Sequence, residues 1–333
     1  MSKQLRYGEN PQATAELIPD ADNNDALSVF NLQNIDGTPF DYSLLSYINI
    51  ADTDRLLNTI TLLSAALSKN STNKKIALAV KHGHICGAAV SDTTKGAIAG
   101  MYRGDPRAVF GGFIMTNFTF GKEEAQQVLD TAEGKTYLAG IIAPAITTEA
   151  IETLPKQKRA CLYICLPGLD SLDAHSLNKT KKRRQVRGGY IQETSTQYLP
   201  DLAELGSELS GAEQMDLILA WAVGSSSVSN TITLVRDGYV IGNGVGQQDR
   251  VGAAELAIKR AHDAGHDIAG ALAYSDSFFP FTDGVKVLAD AGVKTIFATS
   301  GSVRDKKVIA YAKEREVKLI LVPDKQARGF FGH

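Results

Sequence analysis

The run IALAV at residues 76–80 is short and apolar, and it stops abruptly at Lys81 and His82. Runs of the same kind recur at 111–116, 139–144, 160–166, 268–275, 293–299 and 317–323. Apolar and β-branched stretches of this length, bounded by Gly, Pro or Ser, predict strands. Between them, apolar residues recur at three- and four-residue spacing, which predicts helices near 53–68, 122–131, 211–223, 250–264, 283–291 and 303–315. The stretch ITLVRDGYVIG at 232–242 is broken by Asp237-Gly238, a pair that predicts a hairpin between two strands. Residues 293–323 read as strand, helix and strand, with Ser300-Gly301-Ser302 expected to cap the helix. Strands and helices alternating in this way predict an α/β protein with largely buried sheets.

Between about 168 and 200 the apolar runs disappear, a basic cluster KTKKRR occupies 179–184, and Gly188-Gly189 follows. A domain boundary is expected there, dividing the chain into residues 1–180 and 181–333. The full length of 333 residues agrees with two domains, since single cores stop growing at roughly 250 to 300 residues. No repeat with a period of about 20 to 50 residues is present, so a solenoid is not expected.

Composition adds exclusions. Hydrophobic residues at 44% and charged residues at 22% are ordinary for a soluble protein. The formal charge of -2 argues against nucleic acid as a partner, so an anionic ligand has to be held by local groups, and KTKKRR reads first as a solvated face. Cys86, Cys161 and Cys165 contain no C-x-x-C pair and do not suggest a disulfide scaffold. No signal-peptide core opens the chain and no window approaches the roughly 20 apolar residues of a spanning helix. The expectation is a reduced, cytoplasmic protein with no membrane partner.

Candidate chemistry begins at KHGHICG, residues 81–87. An ammonium at a strand end can hold a phosphate or polarise a carbonyl, and a histidine can move a proton near neutral pH. A glycine-rich surface turn is the alternative. His82, His84 and Cys86 have the spacing H-x-H-x-C, but no distant P-C-x-x-C accompanies them, so a zinc site is not expected. Gly242, Gly244 and Gly246 are spaced G-x-G-x-G, a weak match to a dinucleotide loop. Asn230 and Arg250 stand at the two ends of that hairpin unit. In YSDSFFPFTDG, residues 274–284, the aromatic residues can plug a core or form a slot for a flat heterocycle beside an acidic group. Arg328 is a candidate phosphate clamp.

Eight stretches taken in order carry a resemblance: LRYGENPQ (5–12), KHGHICG (81–87), VFGGF (109–113), GIIAP (140–144), SNTITLVRDGYVIGNGVGQQDR (229–250), SDSFFPFTDGV (275–285), SGSVRDKKVI (300–309) and RGFFGH (328–333). Together they resemble the transformylase portion of the bifunctional purine-biosynthesis enzymes, which carry a formyl group from 10-formyltetrahydrofolate to 5-aminoimidazole-4-carboxamide ribonucleotide (AICAR).

The resemblance implies two cytidine-deaminase-like α/β domains and a homodimer with active sites at the interface. It implies catalytic roles for Lys81, His82 and Asn230. Arg6, Tyr7, Gly111, Arg250, Phe278 and Arg328 fall on nucleotide positions, and Phe110, Pro280, Phe281, Asp283 and Ser302 on folate positions. Neither metal nor ATP is implied. Because LRYGENP begins at the fifth residue, the inosine monophosphate cyclohydrolase step is expected from a separate polypeptide. The chain departs from the family pattern in four places. H-I-C-G replaces a proline-containing loop after Lys81-His82, Ala139 replaces an acidic residue, NPQ stands where NPHQ is usual, and the end is RGFFGH where R-x-F-x-H is usual.

Overall fold

The computed structural model describes residues 1–21, 23–132, 136–156, 160–195 and 197–331. Ten strands form a central sheet, numbered in chain order β1 (Lys75–Lys81), β2 (His84–Ser91), β3 (Phe113–Thr116), β4 (Gly140–Ala143), β5 (Leu162–Cys165), β6 (Ile232–Arg236), β7 (Tyr239–Gly244), β8 (Leu272–Ser275), β9 (Thr295–Ser300) and β10 (Lys318–Pro323). They lie in the order β10-β9-β8-β6-β7-β2-β1-β3-β4-β5. The longer helices are α1 (Tyr47–Lys69), α2 (Thr94–Gly104), α3 (Lys122–Thr131), α4 (Thr148–Thr153), α5 (Gly211–Ser225), α6 (Arg250–Asp263), α7 (Asp283–Asp290) and α8 (Asp305–Glu314). The α/β class expected from the sequence is the class observed.

The two halves of the sheet repeat one plan. From α1 to β5 the chain makes a helix, a hairpin and three helix–strand pairs, and from α5 to β10 it does the same. In each half the first hairpin strand pairs antiparallel with the third strand, and the last three strands are parallel. The halves join edge to edge where β2 lies antiparallel to β7, with Ala89 opposite Tyr239. This repeat is far longer than the periods that mark a solenoid.

Alternation along β1 shows how the layers form. Ile76, Leu78 and Val80 face α1 and α5 and share one core with Leu56, Ile60, Leu63, Leu217 and Trp221. Ala77 and Ala79 face the other side, against Ile98 and Met101 of α2. In the second half Leu234 and Ala273 meet Ala253, Ala257 and Ala261 of α6. Successive side chains of a strand point to opposite faces, so one strand serves both layers. Small residues on the α2 and α6 side let those helices approach closely. A β-carbon on Gly242 would lie 2.2 Å from the Ala257 carbonyl oxygen, and one on Gly244 would lie 2.0 Å from that of Ala253. The first two glycines of G-x-G-x-G therefore belong to a strand packed under a helix, which accounts for their spacing without a dinucleotide.

Both hairpins turn in the same way. His82 and Gly83 have φ of 52° and 75°, and Asp237 and Gly238 have 54° and 80°. Two central residues with positive φ define the type I′ turn, whose twist matches the flanking strands. In each half the sixth residue of the preceding helix reaches this turn. Asp52 of α1 accepts the Gly83 N–H at 2.6 Å, and Asp216 of α5 accepts the Gly238 N–H at 2.7 Å. Both helices start with a capping box, Ser46 with Asn49 and Ser210 with Glu213, which fixes the helix end from which the acid projects.

Several expectations need correction. β2, with the sequence HICGAAVS, was not among the predicted strands; it forms because Gly87 and Ala89 suit close packing under α2, while Ala88 faces the other layer. α1 begins at Tyr47 and not near 53, because Ser46 caps it. α2 was not anticipated. The serines of Ser300-Gly301-Ser302 do not cap α8. The Asp305 carboxylate takes the N–H groups of Gly301 and Ser302 at 2.7 and 3.1 Å, while Ser302 Oγ accepts from the Arg304 N–H. A carboxylate is favoured there by the positive end of the helix. The basic cluster runs into a two-stranded arm, Lys182–Val186 paired with Gly189–Glu193, whose residues are mostly exposed. No described helix is long and apolar enough to cross a membrane.

Burial pushes the Asp216 carboxyl up to about 6 from its ordinary 3.8, against the opposing pull of the Gly238 N–H. A raised acid makes the folded state bind its proton more tightly than the unfolded chain does. Stability is therefore lost as pH rises from about 4 to 6, by up to about 3 kcal/mol. Asp216→Asn keeps an oxygen for Gly238 and lacks the titration. Denaturant unfolding at pH 4 and pH 7 is expected to show wild type losing stability relative to Asp216→Asn across that interval. Parallel profiles would contradict the assignment.

Candidate active site

The sheet register collects the sequence-predicted residues at one end. Lys81 ends β1, and Val80 stands opposite Phe113, so Phe110 and Gly111 precede β3 at the same end. Across the seam, Asn243 of β7 donates to the Ile85 carbonyl at 3.1 Å, and Ile232 lies opposite both Gly244 and Ser275. The ends of β7 and β8 and the start of β6 thus join the His82 end, bringing Asn230, Arg250 and the segment 276–283. Ser300 opposite Pro323 adds the ends of β9 and β10, with Ser302 and Arg328 just beyond. Arg6 and Tyr7 approach through α1, since the Tyr7 carbonyl accepts the Tyr47 N–H at 3.0 Å. The Asp237–Gly238 turn is at the opposite end, where the Gly238 carbonyl accepts the Val90 N–H at 2.9 Å.

Within this end the residues form separate groups. In the first, Lys81 Nζ donates to the Phe110 carbonyl at 2.8 Å, and the Gly111 N–H donates to the Tyr137 carbonyl at 2.7 Å. Gly111 has φ of 81°, and the rings of Phe110 and Tyr137 are 5.5 Å apart. An ammonium has three donors, so among the described residues two of those on Lys81 remain. His82 is exposed at the turn corner, in a left-handed conformation that histidine tolerates better than most residues. Beneath it Asp52 is only 5% exposed, and burial pushes its carboxyl up while the Gly83 N–H and the His82 charge pull it down.

The second group is centred on Arg250. Its guanidinium donates to Asn230 Oδ1 at 2.8 Å, to Ser275 Oγ at 2.9 Å and to the fully buried Asp276. Asn230 Nδ2 donates to the Gln247 carbonyl at 3.0 Å, which among the described residues leaves its second N–H available. Asp276 Oδ2 is buried without a hydrogen-bond partner among the described residues, so the carboxylate depends on Arg250.

In the third group Arg328 pairs with Asp324 at 2.5 Å and lies 5.7 Å from the Phe278 ring centre. Thr299 and Ser277 also donate to Asp324. Phe281 and Pro280 are exposed, Arg304 lies over the Phe281 ring at 4.2 Å, and Asp283 starts α7. Arg6 lies over the Tyr7 ring at 4.9 Å. His333, the last residue of RGFFGH, lies outside the described residues.

Residues 1–260 match the profile of the family described as AICARFT/IMPCHase bienzyme. The chain belongs to that family. Within it, the bifunctional purine biosynthesis protein PurH of Acidithiobacillus ferrooxidans is 32% identical over 324 residues, covering 96% of this chain and 57% of PurH. The chain thus spans little more than half the length of that relative. Among solved structures, a Thermotoga maritima diaminohydroxyphosphoribosylaminopyrimidine deaminase/5-amino-6-(5-phosphoribosylamino)uracil reductase matches at 15% identity, over 34% of this chain and 37% of its own, with a TM-score of 0.26. The dCMP deaminase of cyanophage S-TIM5 matches at 14% identity, over 37% of this chain and all of its own, with a TM-score of 0.24.

Two acids at this end of the sheet were missed in the sequence. Asp52 is the sixth residue of a helix whose start was placed near 53, so it fell just outside the predicted element. Asp276 was noticed only as a flank of the aromatic run. The alternating H-x-H-x-C spacing is that of a hairpin, and burial pushes the Cys86 thiol up to about 12. Among the described residues no group of three or more His, Cys, Asp or Glu side chains is arranged to hold a metal ion.

Removing Arg250 would leave Asp276 buried and unpaired, which typically costs about 3–5 kcal/mol. Arg250→Ala is therefore expected to unfold at clearly lower denaturant, and adding Asp276→Asn should recover at least half of the loss. A wild-type midpoint for Arg250→Ala would contradict the pairing.

Proposed function

We propose that the chain transfers a formyl group from 10-formyltetrahydrofolate to the 5-amino group of AICAR, giving formyl-AICAR in purine biosynthesis. The observation that carries this reading is the gathering of the residues implied by the family at one end of a single sheet. The exocyclic amine of an aminoimidazole carboxamide is a weak nucleophile because its lone pair is delocalised. A proton has to leave as nitrogen bonds to the formyl carbon, and the exposed His82 is the group to take it. The formyl oxygen becomes an oxyanion in the tetrahedral intermediate. Two free donors on Lys81 and one on Asn230 are suited to it, each worth roughly 3 kcal/mol when well placed. Collapse of the intermediate breaks the bond to the folate nitrogen, which takes up a proton.

Arg328, beside Phe278, is assigned to the nucleotide phosphate, together with Arg6 and Tyr7. Phe110, Pro280, Phe281, Asp283 and Ser302 are assigned to the folate. Phe110 precedes β3 and Ser302 follows β9, six strand spacings apart, or roughly 29 Å at the usual inter-strand distance, although both are assigned to the folate. No single small molecule spans that length, which supports a homodimer whose partner brings the distant groups together. A cytoplasmic setting suits the substrates. We also propose that residues 1–180 and 181–333 are the two copies of a duplicated unit.

Steady-state kinetics with both substrates test the assignment. His82→Ala is expected to lower kcat by about 10²–10⁴, the range for a general acid or base. Arg328→Ala should raise the nucleotide KM more than it lowers kcat. A His82→Ala enzyme with near-normal kcat would remove the central residue of the mechanism, and transfer abolished by a chelator would replace it with metal-dependent chemistry.

A further inference from the structure

The two type I′ turns are built alike and used differently. Each is held by a buried carboxylate, 5% exposed for Asp52 and 7% for Asp216, that accepts the N–H of the second turn residue. At the Asp237–Gly238 turn the flanking charges are consumed internally. Arg236 donates to Asp267 through its carbonyl at 3.0 Å and its carboxylate at 3.2 Å, and it lies 3.5 Å from Asp237. At the His82–Gly83 turn Lys81 is held by one carbonyl and His82 is exposed. The same clamp therefore carries a self-neutralised corner in one half and an open cation and imidazole in the other.

We infer that Asp52 is a positioning residue for the Lys81–His82 pair, holding the turn in the conformation that presents both side chains to substrate. This rests on the formyl-transfer reading of that site. A histidine at the left-handed first position of a turn has other conformations within reach, because only glycine adopts that region freely. The Gly83 N–H ties the corner to α1, whose start is fixed by its own capping box. Without an acceptor at position 52 that N–H has to find another partner, and the turn and its imidazole move with it.

The second half supplies the control. Four variants are compared, Asp52→Ala, Asp52→Asn, Asp216→Ala and Asp216→Asn, with asparagine keeping an oxygen for the glycine N–H. Each alanine variant is expected to melt about 2–5 °C below its asparagine counterpart. Only Asp52→Ala should lose kcat, by about 10- to 100-fold relative to Asp52→Asn, with nucleotide KM changed less than about threefold. Asp216→Ala should keep the kcat of Asp216→Asn. If Asp52→Ala keeps its kcat, or if both alanine variants lose turnover in step with melting temperature, the inference fails. If the wild-type protein transfers no formyl group, the functional reading fails and the clamp is judged from the His82 imidazole signals in 1H–13C NMR spectra. Those signals should shift in Asp52→Ala and not in Asp216→Ala, and an unchanged His82 signal in Asp52→Ala would overturn the inference.

Discussion

The antiparallel seam between β2 and β7 is the constraint on which the site depends. Each half alone would end in an exposed hairpin edge, a row of unpaired backbone groups that folded proteins cover or pair. Joining the two edges removes that liability and merges the halves into one ten-stranded sheet. Because the seam is antiparallel, the turn of one hairpin lies beside the open end of the other. The Lys81–His82 corner thereby faces the loops that carry Asn230 and Arg250, and a parallel seam would have put these groups at opposite ends.

Packing on the two faces keeps that arrangement rigid. Large residues of β1 point to the layer of α1 and α5, which is shared by both halves, while alanines and glycines point to α2 and α6. The shared layer also supplies the two acids that hold the turns. Interiors at this density do not deform continuously, so a carboxylate fixed on α1 can set the position of a side chain at the sheet end. The cost is visible in Asp52 and Asp216, both pushed up by burial.

Much of this architecture was legible in the chain because periodicity reports burial directly. The runs at 76–80, 293–299 and 317–323 announced strands, and Asp237-Gly238 announced its hairpin. HICGAAVS hid its strand because glycine and alanine carry little strand preference, and their fit under α2 is a tertiary fact. The equivalence of the two turns was equally hidden, since His-Gly and Asp-Gly look unrelated until their φ angles are compared. Lys81 and His82 stood out as polar residues at an apolar strand end. Asp52 and Asp276 did not, because an acid in a helix or beside an aromatic run shows its partner only when the chain is folded. Arg250 was legible as a site residue, yet its hold on Asn230 was not.

On the proposed reaction, catalysis belongs to the His82 end of the sheet and the Asp237–Gly238 end is its structural counterpart. A crystal structure of the protein with AICAR bound tests this most directly. The 5-amino group is expected within hydrogen-bonding reach of His82, the carboxamide end of the base near Asn230, and no nucleotide at the opposite turn. A nucleotide bound at the Asp237–Gly238 end, or against the 182–193 arm with the His82 end empty, would contradict it.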